Sequence, residues 1–200
     1  MLVHICCSVD SHYFLQRLRK DYPNERIVGY FYDPNIHPYS EFLLRFEDVK
    51  RSCEKLGIKL ICGEYDYEAW LGGTKGLEDE PEKGKRCEYC FDFRMKDSAK
   101  KALELQTRAK INTFSPKLNF DYSEASLKTD NLDEALDEAK FILNMKLEPE
   151  DRLHALNLAS EIYIRQKQYK LAKGYLDECV SSNFTSAYKD ACKAKLEMIK

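Results

Sequence analysis

The sequence predicts an α/β domain, a parallel sheet with flanking helices, followed by an all-α region resembling helical repeats. Strand-like and helix-like segments alternate from Met1 to about Gln106, and beyond about Asn131 every segment has a helical period. A hydrophobic content of 44% over 200 residues supports one full core or two small ones. The expected organisation is an α/β domain over residues 1–106, a connector over 107–130 and a helical region over 131–200.

LVHICC is apolar and short, a first strand, and SHYFLQRLRKDY follows it with Phe14, Leu15 and Leu18 on one helical face. RIVGYFY is β-branched and aromatic, a second strand. After the turn-rich DPNIHP comes SEFLLRFEDVKRSCEKLG, a long helix stopped by Gly57, and IKLICGEY supplies a third strand. Strands alternating with such helices form parallel sheets joined by right-handed crossovers, and ligands gather at the carboxyl ends of the strands. LGGTKGLEDEPEKGKR reads as a mobile, exposed loop leading to Cys87 and the helix through FRMKDSAKKALELQ. TRAKINTFSPKLNFDYSEAS shows no clear period and reads as irregular.

In the last third, Leu156, Ala159, Ser160 and Tyr163 fall on one helix and Tyr169, Ala172, Leu176 and Cys179 on the next, a spacing that resembles a tetratricopeptide repeat. Leu132, Ala135, Ala139 and Ile142 fit the second helix of a preceding copy, and Phe184–Ile199 a terminal capping helix. So short an array needs a packing partner, which makes the helical tail a candidate protein-binding surface.

A formal charge of −2 neither announces nor excludes nucleic acid. No run of about 18 apolar residues could span a bilayer, and MLVHICCSVD lacks the basic flank of a signal peptide, so a cytoplasmic protein without membrane contact is expected. Thiols stay mostly reduced there, so the eight cysteines are expected packed, metal-bound or redox-active rather than joined as a framework. Packing is the expectation for Cys53, Cys62, Cys179 and Cys192.

The remaining four fall at the predicted ligand edge. Cys6 and Cys7 lie where the first strand ends, close to Asp10, and can serve one site only if the chain turns there. Cys87 and Cys90, three residues apart, present both sulfurs on one side of a helix end, where backbone N–H groups, Lys85 and Arg86 favour thiolate. Such a soft-donor set suits zinc or an iron–sulfur cluster, and spacing alone does not choose between them. In YDPNIHPYSEFLLR, Asp33, Asn35, His37, Tyr39, Glu41 and Arg45 offer donors, acceptors and a proton carrier, although Glu41 and Arg45 also suit an exposed helical pair. A phosphate-cradling ATP-pyrophosphatase loop is disfavoured, because CCSVDS lacks the glycines.

HICCSVDS, YDPNIHPYSEFLLR and GKRCEYCFDFRM, in that order, resemble the epoxyqueuosine reductases of the QueH type over about residues 1–106. The resemblance implies a HUP-like α/β fold and an iron–sulfur-dependent reduction of epoxyqueuosine to queuosine at the wobble position of a tRNA. It assigns metal binding to Cys6, Cys7, Asp10, Cys87 and Cys90, with a 4Fe-4S cluster on the four cysteines and room for an additional metal ion. Asp10, Asp33, His37 and Tyr39 become candidate catalytic proton donors, and an external electron donor is required. Tyr32, Asn35, Arg45, Lys85, Arg86 and Arg94 become candidate substrate-binding residues, with Tyr39, Tyr89 and Phe91 to stack bases and Lys83 and Lys96 to meet phosphates. After Gln106 the likeness fades: INTFSPK is a faint match to a family segment, and no CGC follows. The rival reading is a zinc-stabilised, noncatalytic α/β module carrying a protein-interaction tail.

Overall fold

The computed structural model describes residues 1–108 and 116–199, except for the side chains of residues 8–10 and 108. The chain forms two compact units, Met1–Ser98 and Ala99–Lys200. Among the described residues no helix is long and apolar enough to cross a membrane.

The first unit contains three parallel strands, β1 (Leu2–Ile5), β2 (Val28–Phe31) and β3 (Lys59–Cys62), ordered β1-β2-β3. Leu2 pairs with Val28 and Val28 with Lys59, so the strands end level at Ile5, Phe31 and Cys62. Helix α1 (Ser8–Asp21) follows β1 and α2 (Tyr39–Lys55) follows β2. Phe42, Phe46, Val49 and Cys53 recur on one face of α2 and pack with Ile5, Leu15, Ile27 and Phe31. Leu15 is fully buried and Leu18 partly so, but Phe14, expected beside them, is exposed. Gly57 ends the α2 turn at φ +61°, a left-handed conformation that side chains resist.

Side chains alternate along β2. Phe31 meets Phe42 and Phe46 of α2, whereas Tyr30 donates a hydrogen bond to Asp97 on α4 (Lys85–Arg108). The segment expected as a loop after β3 instead starts with a helix, α3 (Tyr67–Thr74), whose cap is the Asp66 side chain accepting from Ala69 N–H at 3.1 Å. Its remainder is tied by local bonds, with the Glu78 carboxylate accepting from Gly76 N–H at 3.0 Å and Arg86 donating to the Glu78 carbonyl at 3.2 Å.

The second unit is helical: α5 (Pro116–Lys128), α6 (Leu132–Leu143), α7 (Pro149–Arg165), α8 (Tyr169–Ser181) and α9 (Ala187–Met198). Helix α5 packs on α6, α7 on α8 and α8 on α9. Ala135, Ala139, Ile142, Leu156, Ala159, Ser160, Tyr163, Ala172, Leu176 and Cys179 are buried as their spacing predicts, but Tyr169 is half exposed. Helix α5 corrects the expected irregular stretch, of which residues 109–115, including most of INTFSPK, lie outside the described residues. Cys179 and Cys192 are buried, as expected of packing cysteines, but they are also joined as a disulfide linking α8 to α9. The expectation of unpaired thiols fails there because the two helices bring their Cα atoms to 6.4 Å, within bridging range.

His154 on α7 is sandwiched between Phe120 of α5 at 4.1 Å and Tyr188 of α9 at 4.2 Å, and its Nε2 pairs with Glu124 Oε1 at 2.7 Å. That pairing holds the Glu124 carboxyl below the usual carboxylate range. Two ring contacts and a hydrogen bond together predict that His154→Ala loses about 2–4 kcal/mol of unfolding free energy, measured by urea titration.

Candidate functional site

The site is built where β1 and β2 end and α4 begins. After Ile5 the chain bends at Cys6, and Cys7 caps α1 in an extended conformation, which supplies the turn that the adjacent cysteines require. Cys87 and Cys90 sit in the first turns of α4. One helical turn beyond Cys90, Arg94 Nη1 donates to Asp33 Oδ1 at 2.8 Å, across 61 residues of sequence, while Arg94 Nε donates to the Cys90 carbonyl at 3.3 Å. The Asp33 side chain is 1% exposed and that of Arg94 20%. Both Cys6, after the first strand, and Cys90, in the Cys-x-x-Cys helix, feel the Asp33 carboxylate and the Arg94 guanidinium, so one ion pair acts electrostatically on both thiols.

Burial dominates the electrostatics. It pushes the Cys6 thiol up, aided by Asp33 and Cys7 and opposed by Arg94. Burial likewise raises Cys90, against the Arg94 charge and the nearby Trp70 indole N–H. The expectation that the helix end, Lys85 and Arg86 favour thiolate is therefore corrected at Cys90, where desolvation outweighs them. The Asp33 carboxyl is also raised by burial, despite the Arg94 hydrogen bond and the charges of His4 and Arg45. Arg94 stays firmly cationic: burial opposes its charge, but the Asp33 hydrogen bond and the Cys90 and Cys6 sulfurs outweigh it.

Two buried polar atoms here have no hydrogen-bond partner, Asp33 Oδ2 and Asn35 Oδ1, while the Trp70 indole N–H is turned to the Cys90 sulfur. Native folds rarely leave such atoms unfilled unless a ligand, ion or water completes them. Among the described residues no three His, Cys, Asp or Glu side chains stand close enough to hold a metal ion. The donors nevertheless fit a metal group in kind, since Cys6, Cys7, Cys87 and Cys90 stand outside any disulfide and Asp33 keeps a carboxylate oxygen without a hydrogen bond. Asp10 lies in the first turn of α1, and its side chain falls outside the described residues.

The other predicted residues divide. His37 is exposed and stacks on Tyr67 at 4.5 Å, and Tyr39 is half exposed beside Tyr65 at 4.9 Å. Tyr32 is 5% exposed, with Tyr30 and Phe93 as parallel neighbours. Arg45 forms an exposed pair with Glu41 at 2.7 Å, yet its charge still reaches Asp33. Lys85 is exposed at the start of α4, Arg86 is tied to Glu78, and Phe91 is 59% exposed. Cys62 is an exposed thiol rather than the packed one expected, because β3 ends there in solvent. Tyr65, Tyr67 and Trp70 escaped the sequence reading, although the aromatic run in EYDYEAW marks them.

Tyr89, between the two cysteines of α4, lies against Gly73 of α3, where an added Cβ would fall 1.8 Å from the phenol oxygen and 2.1 Å from Cζ. The whole ring would have to move. Gly73→Ala is expected to cost about 1–3 kcal/mol in urea unfolding.

Comparison with known proteins bears directly on this arrangement. A family model described as "Epoxyqueuosine reductase QueH" matches residues 1–151. A protein of that name from Helicobacter pylori (strain ATCC 700392 / 26695) is 58% identical over 105 residues, which are 52% of this chain and 28% of the relative. Relatives of the same name from Histophilus somni (strain 129Pt) and Haemophilus influenzae (strain ATCC 51907 / DSM 11121 / KW20 / Rd) are 42% identical over 52% of this chain and 40% over 51%. The matched segments are 42% and 41% of those two proteins, so the chain spans less than half the length of these curated relatives. With a family model matching three quarters of its length, the chain belongs to the QueH family of epoxyqueuosine reductases.

Proposed function

We propose that the first unit carries the site of an oxidoreductase of queuosine biosynthesis, which reduces epoxyqueuosine to queuosine in tRNA. The observation that supports this most is the Asp33–Arg94 pair, whose charges act on both Cys6 and Cys90, within a QueH-family chain. We read the three parallel strands and their helices as the core of a HUP-like fold.

Converting an epoxide to an alkene breaks both carbon–oxygen bonds, consumes two electrons and two protons and releases water. Side chains do not readily supply single electrons, so a metal group is required. Cys6, Cys7, Cys87 and Cys90 would hold it, with Asp10 and a second metal ion as further candidates, and a bound 4Fe-4S cluster would supply electrons received from an external donor.

The chain's own residues handle protons and position. Arg94 fixes Asp33 through Oδ1 and leaves Oδ2 without a partner, while burial raises the carboxyl above its ordinary value. Asp33 is thus the preferred donor to the departing oxygen, with His37 and Tyr39 at the exposed rim to exchange protons with solvent. Arg45, Lys83, Lys85 and Arg86 lie where tRNA phosphates could be met, which would make binding fall steeply with salt. Exposed Tyr169 and Leu171 support the helical unit as a protein-binding surface.

The decisive experiment is anaerobic reconstitution with iron and sulfide, incubation with a reductant and epoxyqueuosine-containing tRNA, and mass analysis of the released nucleosides. Queuosine should appear. Stoichiometric zinc with unchanged tRNA would instead favour the noncatalytic module.

A further inference from the structure

The carboxyl end of the sheet carries a row of rings contributed by two separate connections. The segment between β2 and α2 supplies His37, and the start of α2 supplies Tyr39; the residues after β3 and the first turn of α3 supply Tyr65, Tyr67 and Trp70. His37 lies over Tyr67 at 4.5 Å and 23°, Tyr67 meets Trp70 at 5.7 Å, and Tyr65 runs nearly parallel to Tyr67 at 6.2 Å and 10°. Tyr39 closes the row against Tyr65 at 4.9 Å. Burial is graded along it: His37 and Tyr39 are exposed, while Tyr65, Tyr67 and Trp70 are half-buried.

We propose that this row is a stacking platform for an unpaired nucleobase of the RNA that carries the substrate. The inference rests on the reading of the chain as a tRNA-modifying enzyme and assigns which residues grip the single-stranded loop. A core cluster would bury its rings on all sides and satisfy its polar atoms. Here the outer rings are open to solvent, and two buried acceptors are unfilled. Asn35 Oδ1 lacks a donor, and Asp33, almost wholly buried, keeps Oδ2 unpartnered. Unfilled acceptors together with aromatic faces suit a base, which stacks by its π-face and offers N–H groups at its edge. A purely apolar occupant would leave both atoms unsatisfied. Carboxylates of Asp66 and Glu68 stand at the start of α3, so the phosphates would run away from that end of the row.

Trp70 is the chain's single tryptophan, so its emission reports on this place alone. The full chain, without metal or reductant, should be titrated with a short RNA hairpin bearing an unpaired loop and, separately, with a fully paired duplex of matched length. The hairpin should quench Trp70 emission and the duplex should not. Tyr67→Leu should weaken hairpin binding about ten-fold, the value of roughly one stacked base, and Tyr67→Phe should restore it. His37→Ala, at an exposed position, should weaken binding in the same direction even if Tyr67→Leu folds poorly. Equal quenching by the duplex, or unchanged affinity in both Tyr67→Leu and His37→Ala, overturns the platform. Hairpin binding that follows these variants without any turnover by the reconstituted protein leaves the platform standing and removes only the catalytic reading.

Discussion

Cys90→Ser is expected to lower epoxyqueuosine reduction by more than about 100-fold and to remove bound iron from the reconstituted protein, a larger loss than the 10–100-fold typical of residues that merely support metal ligands. Cys90 and Cys6 both feel the Asp33–Arg94 ion pair, and one oxygen-for-sulfur exchange removes a member of the proposed donor set. Cys53→Ser provides the contrast. Its thiol is 1% exposed in the core beside Val49 and Phe31 and contacts nothing at the site. That variant should lose stability by about 1–2 kcal/mol while retaining iron and turnover. Iron content and nucleoside analysis on both variants decide the matter: if Cys90→Ser kept full iron and activity, the thiol assignment would be wrong.

Arg94→Met is the second large effect. Removing one partner of a buried pair strands the other, and with Asp33 1% exposed the expected cost is about 3–5 kcal/mol at neutral pH. The sign of its pH dependence follows from burial. Asp33 is already raised above its ordinary 3.8, so the folded chain holds a proton that the unfolded chain has released. Its contribution to stability is therefore full below 3.8 and declines as pH rises through the folded value. Without the Arg94 hydrogen bond and charge, that value rises further and the decline extends over a wider range. The deficit of Arg94→Met relative to the parent should thus be smaller at pH 5 than at pH 7.5 in urea titrations, and an equal deficit at both would deny the electrostatic origin.

The parallel sheet was legible because its strands are short β-branched or aromatic runs separated by amphipathic helices, and Gly57 marked a stop that its backbone angle bears out. Helix α5 was not. Its buried face includes Asn119, Ser123 and Ser126; Asn119 donates to Glu138 and Ser123 to the Ala135 carbonyl at 2.8 Å, so buried polar side chains, two of them satisfied by α6, erased the hydropathic period. At the site, local motifs named Cys6, Cys90, Asp33 and Arg94 separately, but not the bond joining the last two. Contacts across 61 residues have no local period, and Phe14 was misplaced for the same reason, since only the packed neighbours decide which aromatic remains open. The Cys179–Cys192 bridge likewise depends on how α8 and α9 meet.

The sheet order carries a last consequence. Among the described strands each is added beside its predecessor in the same direction, with no reversal of the kind that splays neighbouring loops apart and opens a crevice by topology alone. A binding cleft here has to be imposed from outside the sheet, by a helix crossing back to the strand ends. The Arg94–Asp33 and Tyr30–Asp97 hydrogen bonds and the Tyr32–Phe93 contact fasten that helix there, so the placement of its side chains depends less on how the strands are wired than on these few ties.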